Sequence, residues 1–212
     1  MRQDLRFILE RFGLFIICSI AIGLIIGMMF IDIHWIHNSV HETSLVEITQ
    51  EVLLLVMVSI FFYQAYRYPL LRHSLVLVGG FFTCMLIREL DFLMDVIRQG
   101  AWFWFASAVA AICVIFALRR PATTLTGLVA FLKHPSYGMM IAGLLCVLVF
   151  SRLFGMQILW KGILSGDYQR VAKNMAEEGT ELLGYTFCLF ATLWYSSSLA
   201  ERHSRLLHES TC

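Results

Sequence analysis

Six long apolar runs follow one another along the chain, separated by shorter polar stretches. A helix that crosses the hydrocarbon core of a bilayer needs about 20 apolar residues. The runs are continuous rather than alternating, which excludes the strands of a membrane β-barrel. The pattern therefore predicts an all-α polytopic membrane protein, a six-transmembrane-helix bundle that uses residues 1–212 as a single domain. The predicted spans are 12–31, 45–63, 74–94, 101–118, 137–155 and 175–199.

Two of the connections between the runs are themselves partly apolar. Residues 122–134 are predicted to form a short helix along the inner membrane interface. Residues 156–173 combine aliphatic side chains with a tryptophan and a lysine, which is typical of an interfacial segment that covers the outer end of a bundle. We therefore expect short interfacial helices beside the six spans.

The composition is that of a membrane protein and does not predict a separate soluble domain. Hydrophobic residues make up 59% of the chain and charged residues 15%, with a mean hydropathy of +0.75, whereas soluble domains are about 45–50% apolar. The six cysteines include no Cys-x-x-Cys pair, so neither a disulfide framework nor a thiolate metal site is predicted.

Charged residues divide unevenly between the two predicted membrane faces. One face carries ten lysine and arginine residues and the other carries four, with two arginines inside spans. The positive-inside rule therefore predicts an inner-membrane protein with both termini in the cytoplasm. Eleven of the fifteen acidic residues fall on or near the outer face. Because acidic residues contribute little to orientation, this clustering is a separate observation.

Acidic residues near the outer ends of two spans are spaced to share a helix face. Glu47 and Glu51 lie four residues apart at the start of the second span. Arg88, Asp91 and Asp95 follow an i, i+3, i+7 spacing at the end of the third span. Each pair or triplet therefore predicts a polar stripe at the outer level of the membrane.

Further polar residues reach the same level from other spans. Glu178, Glu181 and Tyr185 share one face of the sixth span, Glu89 projects to the side of the third, and Arg152 lies near the outer end of the fifth. Ionisable groups in spans cost several kcal/mol or more and face the bundle, a partner or a cavity. We therefore predict a polar chamber open to the outer face, in which either some carboxylates are protonated or a cation binds.

The first outer connection contains His34, His37 and His41 at i, i+3, i+7 spacing, followed by Glu42. Taken singly, these histidines are slightly better explained as ordinary interfacial loop residues. Together with nearby carboxylates they indicate a divalent metal site, since imidazole and carboxylate suit zinc, iron or manganese. The predicted metal ligands are His34, His37, His41, Glu42, Glu51, Asp91 and Asp95.

The leading functional hypothesis is a metal-dependent membrane hydrolase that acts on a lipid or another amphiphilic substrate. A metal-bound water would be the nucleophile and one of four glutamates the general base. Those catalytic candidates are Glu47, Glu51, Glu178 and Glu181, and the candidates for charge pairing or substrate contact are Arg88, Glu89, Arg152 and Tyr185.

Two alternatives belong to other functional classes: a proton- or cation-coupled transporter, and a non-catalytic membrane subunit or sensor that binds a basic partner. A transport path is disfavoured because the stretches 52–62, 74–87 and 182–193 hold few polar residues. Haem is not predicted, because the remaining histidines fall on the opposite side of the membrane. Neither a nucleotide nor a nucleic acid is predicted, because the sequence has no phosphate-binding glycine loop and the basic inner face is explained by topology.

Overall fold

The computed structural model describes residues 2–34, 44–96, 98–164 and 170–209, and all regular secondary structure in these ranges is helical. The predicted all-α class is therefore confirmed for this part of the chain. Its ten α-helices are α1 (Arg2–His34), α2 (Leu45–Arg67), α3 (Arg72–Glu89), α4 (Asp91–Asp95), α5 (Trp102–Leu118), α6 (Pro121–Leu132), α7 (Tyr137–Leu145), α8 (Ser151–Gly155), α9 (Gln157–Leu164) and α10 (Arg170–Glu209). A π-helical turn, Cys146–Phe150, joins α7 to α8.

Three helical stretches in the described ranges are long and apolar enough to cross a membrane. They are Leu5–Asp32, Leu45–Arg67 and Tyr137–Gly155, and they coincide with the predicted first, second and fifth spans. A fourth is obtained if α5 and α6, which meet at a bend of 106°, are counted as one broken span. The described chain thus has three to four candidate spans, and the predicted count of six is not confirmed.

The predicted third and sixth spans coincide with helices that are more polar. The 18 residues of α3 include Arg72, Arg88 and Glu89, and α10 contains many serine, threonine, tyrosine and charged residues. Both helices nevertheless pack against α2, and α10 also packs against α7 and α8. The buried polar residues among them, such as Ser74 and Glu181, face other helices of the bundle.

The core lies between α2, α3 and α10. Leu54, Met57 and Phe61 are fully buried on one face of α2, as their i, i+3, i+7 spacing predicts. The ring of Phe61 stacks on that of Phe82 from α3, with centroids 5.6 Å apart, and Tyr185 of α10 completes the same cluster. Three helices are therefore held at fixed rotations, which determines where their polar ends meet.

The helices α7 and α10 approach each other through two glycines. A Cβ atom added at Gly184 would lie 2.7 Å from the carbonyl oxygen of Gly143, and one added at Gly143 would lie 2.7 Å from the Sγ atom of Cys188. Neither backbone can retreat without separating the helices. Small residues at this crossing allow the close backbone contact that is common in membrane bundles.

Replacing Gly143 by alanine is therefore expected to lower the free energy of unfolding by about 1–3 kcal/mol, the usual cost of overpacking. Gly138 on the same helix is the matched control, because a Cβ atom there meets nothing within 4 Å. Gly138→Ala should raise helix stability by roughly 0.5–1 kcal/mol. Unfolding of the purified protein in mixed micelles measures both changes, and equal behaviour of the two variants would contradict the close crossing.

The two predicted interfacial segments each contain a short helix. The helix α6 overlaps 122–134, beginning one residue earlier at Pro121, and α9 lies within 156–173. The indole nitrogen of Trp160 in α9 donates a hydrogen bond to the carbonyl oxygen of Phe154 at 2.6 Å, which fastens α9 to the end of α8. The position of these helices at the membrane interface remains a prediction.

Candidate functional site

Residues from six helices enclose a polar cavity of about 520 Å³, which we call the acidic chamber. The first parts of α2, α5 and α10, the end of α3, and the short helices α4 and α8 meet there, because α3 runs antiparallel to α2 and α10. Six carboxylates and two guanidiniums face the cavity. The lining residues are Glu47, Arg88, Glu89, Asp91, Trp102, Arg152, Asn174, Glu177, Glu178 and Glu181.

Glu181 is the central acid of the chamber, with a side chain only 4% exposed. The Nη2 atom of Arg152 forms an ion pair with its Oε1 atom, and the Nη2 atom of Arg88 lies 3.4 Å from the same oxygen. Arg88 also pairs with Glu89 at 2.6 Å. One carboxylate therefore joins α3, α8 and α10, and two cations share it.

Tyr185 lies directly beneath the ion pairs of Glu181 and Glu89. It lies one turn beyond Glu181 on the same face of α10 and is fully buried. Its hydroxyl group donates a hydrogen bond of 2.6 Å to the Oε1 atom of Glu89. Since Arg88 bonds the same oxygen, both neighbours hold the Glu89 carboxylate in one orientation.

A second set of contacts joins α2 to α10 on the other side of the chamber. The side-chain nitrogen of Gln50 donates to the backbone oxygen of Glu178 at 3.0 Å and lies 3.3 Å from its Oε2 atom. Lys173 pairs with Glu177 at 2.7 Å, and Arg152 lies 3.8 Å from Glu177. Glu178 is therefore positioned by an amide, whereas Glu177 and Glu181 are positioned by cations.

The structure brings most of the sequence-predicted polar residues to this chamber. Those in the lining are Glu47, Arg88, Glu89, Asp91, Arg152, Glu178 and Glu181, with Tyr185 directly beneath. Glu51 is half-buried on α2 and is not part of the lining. Asp95 is also outside the lining, and its carboxylate accepts a hydrogen bond from the backbone nitrogen of Gly100 at 2.9 Å, so it closes the turn before α5. The side chains of His34, His37, His41 and Glu42 lie outside the part that the structure describes.

Sequence reasoning missed three lining residues. Asn174 and Glu177 precede Glu181 by seven and four residues on α10, so extending the same helix face by two turns would have found them. Trp102 enters from the start of α5, and nothing in its sequence context distinguishes it from an ordinary interfacial anchor.

The described side chains alone do not form a metal site. Among the residues with described positions, no group of three or more histidine, cysteine, aspartate or glutamate residues is arranged to hold a metal ion. Four acids of the chamber instead take part in ion pairs and hydrogen bonds with arginine, lysine, glutamine and tyrosine, namely Glu89, Glu177, Glu178 and Glu181. A metal in the chamber would therefore need ligands beyond these side chains.

Comparison of the sequence and fold with protein-family models, with curated proteins and with solved structures gives no match. Function must therefore be argued from the chamber and from the charge distribution of the bundle.

Proposed function

We propose that this is a six-span inner-membrane protein whose acidic chamber opens on the periplasmic side and binds a divalent cation. The orientation follows from charge. Basic residues lie at the end of the bundle opposite the chamber, among them Arg67, Arg72, Arg119, Arg120 and Lys133. Under the positive-inside rule this basic end is cytoplasmic, and both termini are then on the same side.

The observation that carries the proposal is the charge imbalance of one half-buried cavity. Six carboxylates and two guanidiniums line it, and Lys173 adds one further cation beside Glu177. Like charges in a site of low polarity repel each other strongly unless a cation or a proton enters. A divalent cation would reduce this repulsion, and carboxylate oxygens are suitable ligands for it.

We propose His34, His37, His41 and Glu42 as the additional ligands that the described side chains lack. The connectivity of the chain supports this. Asp32 of α1 accepts hydrogen bonds from the first two backbone nitrogens of α2, so both ends of the connecting segment 35–43 are attached at the chamber end of the bundle. Imidazole ligands would favour zinc, iron or manganese over magnesium and calcium.

A bound metal would supply an activated water for hydrolysis of an ester in a lipid or other amphiphile. A glutamate of the chamber would accept the proton of this water as it adds to the ester and would return the proton to the leaving alcohol. Glu47 and Glu178 remain as general-base candidates, because Glu181 is held by two guanidiniums and Glu51 lies outside the lining. Of the two, we propose Glu178, because the side-chain amide of Gln50 orients its carboxylate.

Metal binding is the first test. Glu178→Gln is expected to weaken binding of Zn²⁺ or Mn²⁺ to the purified protein by roughly tenfold to a hundredfold, the usual range for groups close to a bound metal. Glu201→Gln is the matched control, because Glu201 lies on the same helix, exposed and at the opposite end. Calorimetric titration and elemental analysis measure the affinity. Absence of binding to the wild type, or equal binding to both variants, would refute the proposal.

The reaction is tested separately with ester-containing lipids in mixed micelles. Hydrolysis should require the added metal and, at a metal concentration that saturates both proteins, be lost in Glu178→Gln. Metal binding without hydrolysis would assign the protein to the sensors or non-catalytic subunits. Flux of protons or cations in liposomes would indicate a transporter, which the fully buried Leu54, Met57 and Phe61 below the chamber disfavour.

A further inference from the structure

A second cavity of about 330 Å³ lies at the end of the bundle opposite the acidic chamber. We call it the basal pocket. The turn between α2 and α3, the helix α6 with the residues after it, and the far part of α10 form its walls. Its lining includes Arg67, Leu70, Ala130, His134, Tyr195 and Leu199.

The lining of the basal pocket is mostly apolar and also includes basic side chains. Leu70, Ala130 and Leu199 provide apolar wall. Arg67 contributes a guanidinium and His134 an imidazole, and the described lining contains no carboxylate. A ligand that fits this combination has an apolar chain and a negatively charged head.

His134 is held rigidly at the edge of the pocket. Its ring contacts that of Tyr195 edge-on, with centroids 5.2 Å apart, and that of Trp194 at 6.1 Å. Its Nδ1 atom lies 2.8 Å from the hydroxyl oxygen of Ser136. The ring is therefore positioned in advance, so binding of a ligand costs little further conformational entropy of the His134 side chain.

The surroundings reinforce the preference for an anion. Arg72, Arg119, Arg120 and Lys133 lie at helix ends on the same side of the bundle. The 23 residues of α2 are enough to cross a bilayer and end at Arg67, which places the pocket at the boundary between hydrocarbon and water. Basic pockets between membrane helices at this level are typical binding sites for anionic lipid headgroups.

We propose that the basal pocket binds one anionic phospholipid, with an acyl chain against the apolar wall and the phosphate beside Arg67 and His134. Phosphatidylglycerol is the probe of choice, since it carries one negative charge and no cation. This site is separate from the acidic chamber, and its occupation does not depend on what the chamber binds.

Native mass spectrometry of the delipidated full chain tests the proposal. The wild type is expected to retain one phosphatidylglycerol with at least fivefold preference over phosphatidylcholine of the same acyl chains, as expected for about one basic contact at a membrane surface. Arg67→Gln should remove most of this preference. Arg119→Gln should keep it, because Arg119 is exposed at the same end and does not line the pocket.

A second pair of variants tests the cavity rather than the charge. Ala130→Phe would fill the pocket and should abolish retention of the lipid. Ala122 is exposed on the same helix and lies outside the lining, so Ala122→Phe should leave retention unchanged. Equal retention of both lipids by the wild type, or unchanged retention in Ala130→Phe, would overturn the proposal. Displacement of the lipid by inorganic phosphate would also overturn it, because the site would then recognise a soluble anion.

Discussion

Replacing Glu181 by glutamine is expected to lower the free energy of unfolding by about 3 kcal/mol, which is the low end of the cost of breaking a buried ion pair. The substitution preserves the shape of the side chain but leaves Arg88 and Arg152 facing a neutral amide. The low end applies because Arg88 keeps Glu89 at 2.6 Å, Glu177 stays within 3.8 Å of Arg152, and Arg152 is 47% exposed.

Reversible unfolding in mixed micelles measures this effect, and Glu201→Gln on the same helix is the control, for which no measurable change is expected. A double variant, Glu181→Gln with Arg152→Gln, should recover part of the loss, because it also removes one of the two uncompensated cations. If Glu181→Gln is as stable as the control, Glu181 is not the centre of the ion-pair network. The chamber would then have to be held together by the core of α2, α3 and α10 alone.

The general architecture could be predicted because the hydrophobicity of a segment depends only on the residues of that segment. The stretches 12–31, 45–63 and 137–155 are apolar over the length that a bilayer requires, and the structure has a long helix at each of them. The turn before α6 shows where this approach fails. The apolar residues of 122–134 predict a short helix, but they predict neither the 106° bend between α5 and α6 nor the packing of α6 against α3.

The meeting of carboxylates from several helices was predictable for a similar reason. Helix spacing places Glu178, Glu181 and Tyr185 on one face of α10, and the cost of ionisable groups in lipid turns that face toward the bundle. The choice of partners was not predictable. Two arginines share Glu181, and Tyr185 donates a hydrogen bond to Glu89. These pairings depend on the relative rotation of α3, α8 and α10, which a single sequence does not specify.

Asp32 is the clearest case of a role that spacing could not reveal. From the sequence, Asp32 is only one of the eleven acids assigned to the outer face, whereas the structure buries it at 4% exposure. Its Oδ1 and Oδ2 atoms accept hydrogen bonds of 3.0 Å from the backbone nitrogens of Leu45 and Val46. A carboxylate from one helix therefore caps the beginning of the next, where the unpaired N–H groups and the helix dipole favour negative charge.

Asp32→Ala is accordingly expected to lower the free energy of unfolding by about 3 kcal/mol, since two hydrogen bonds to a charged group are lost at roughly 1.5–3 kcal/mol each and water replaces part of them. Ser44→Ala is the matched control at the same helix start. The hydroxyl oxygen of Ser44 accepts one hydrogen bond, of 3.1 Å, from the backbone nitrogen of Glu47, so its loss should cost only about 1 kcal/mol.

Amide hydrogen exchange distinguishes this capping role from a general loss of stability. In Asp32→Ala the amides of Leu45 and Val46 should exchange much faster than in the wild type under conditions where the core amides of α2, such as that of Met57, remain protected. In Ser44→Ala the faster exchange should be limited to Glu47. Uniform acceleration along α2 in Asp32→Ala would contradict the cap, because α1 would then support the whole helix rather than its first turn.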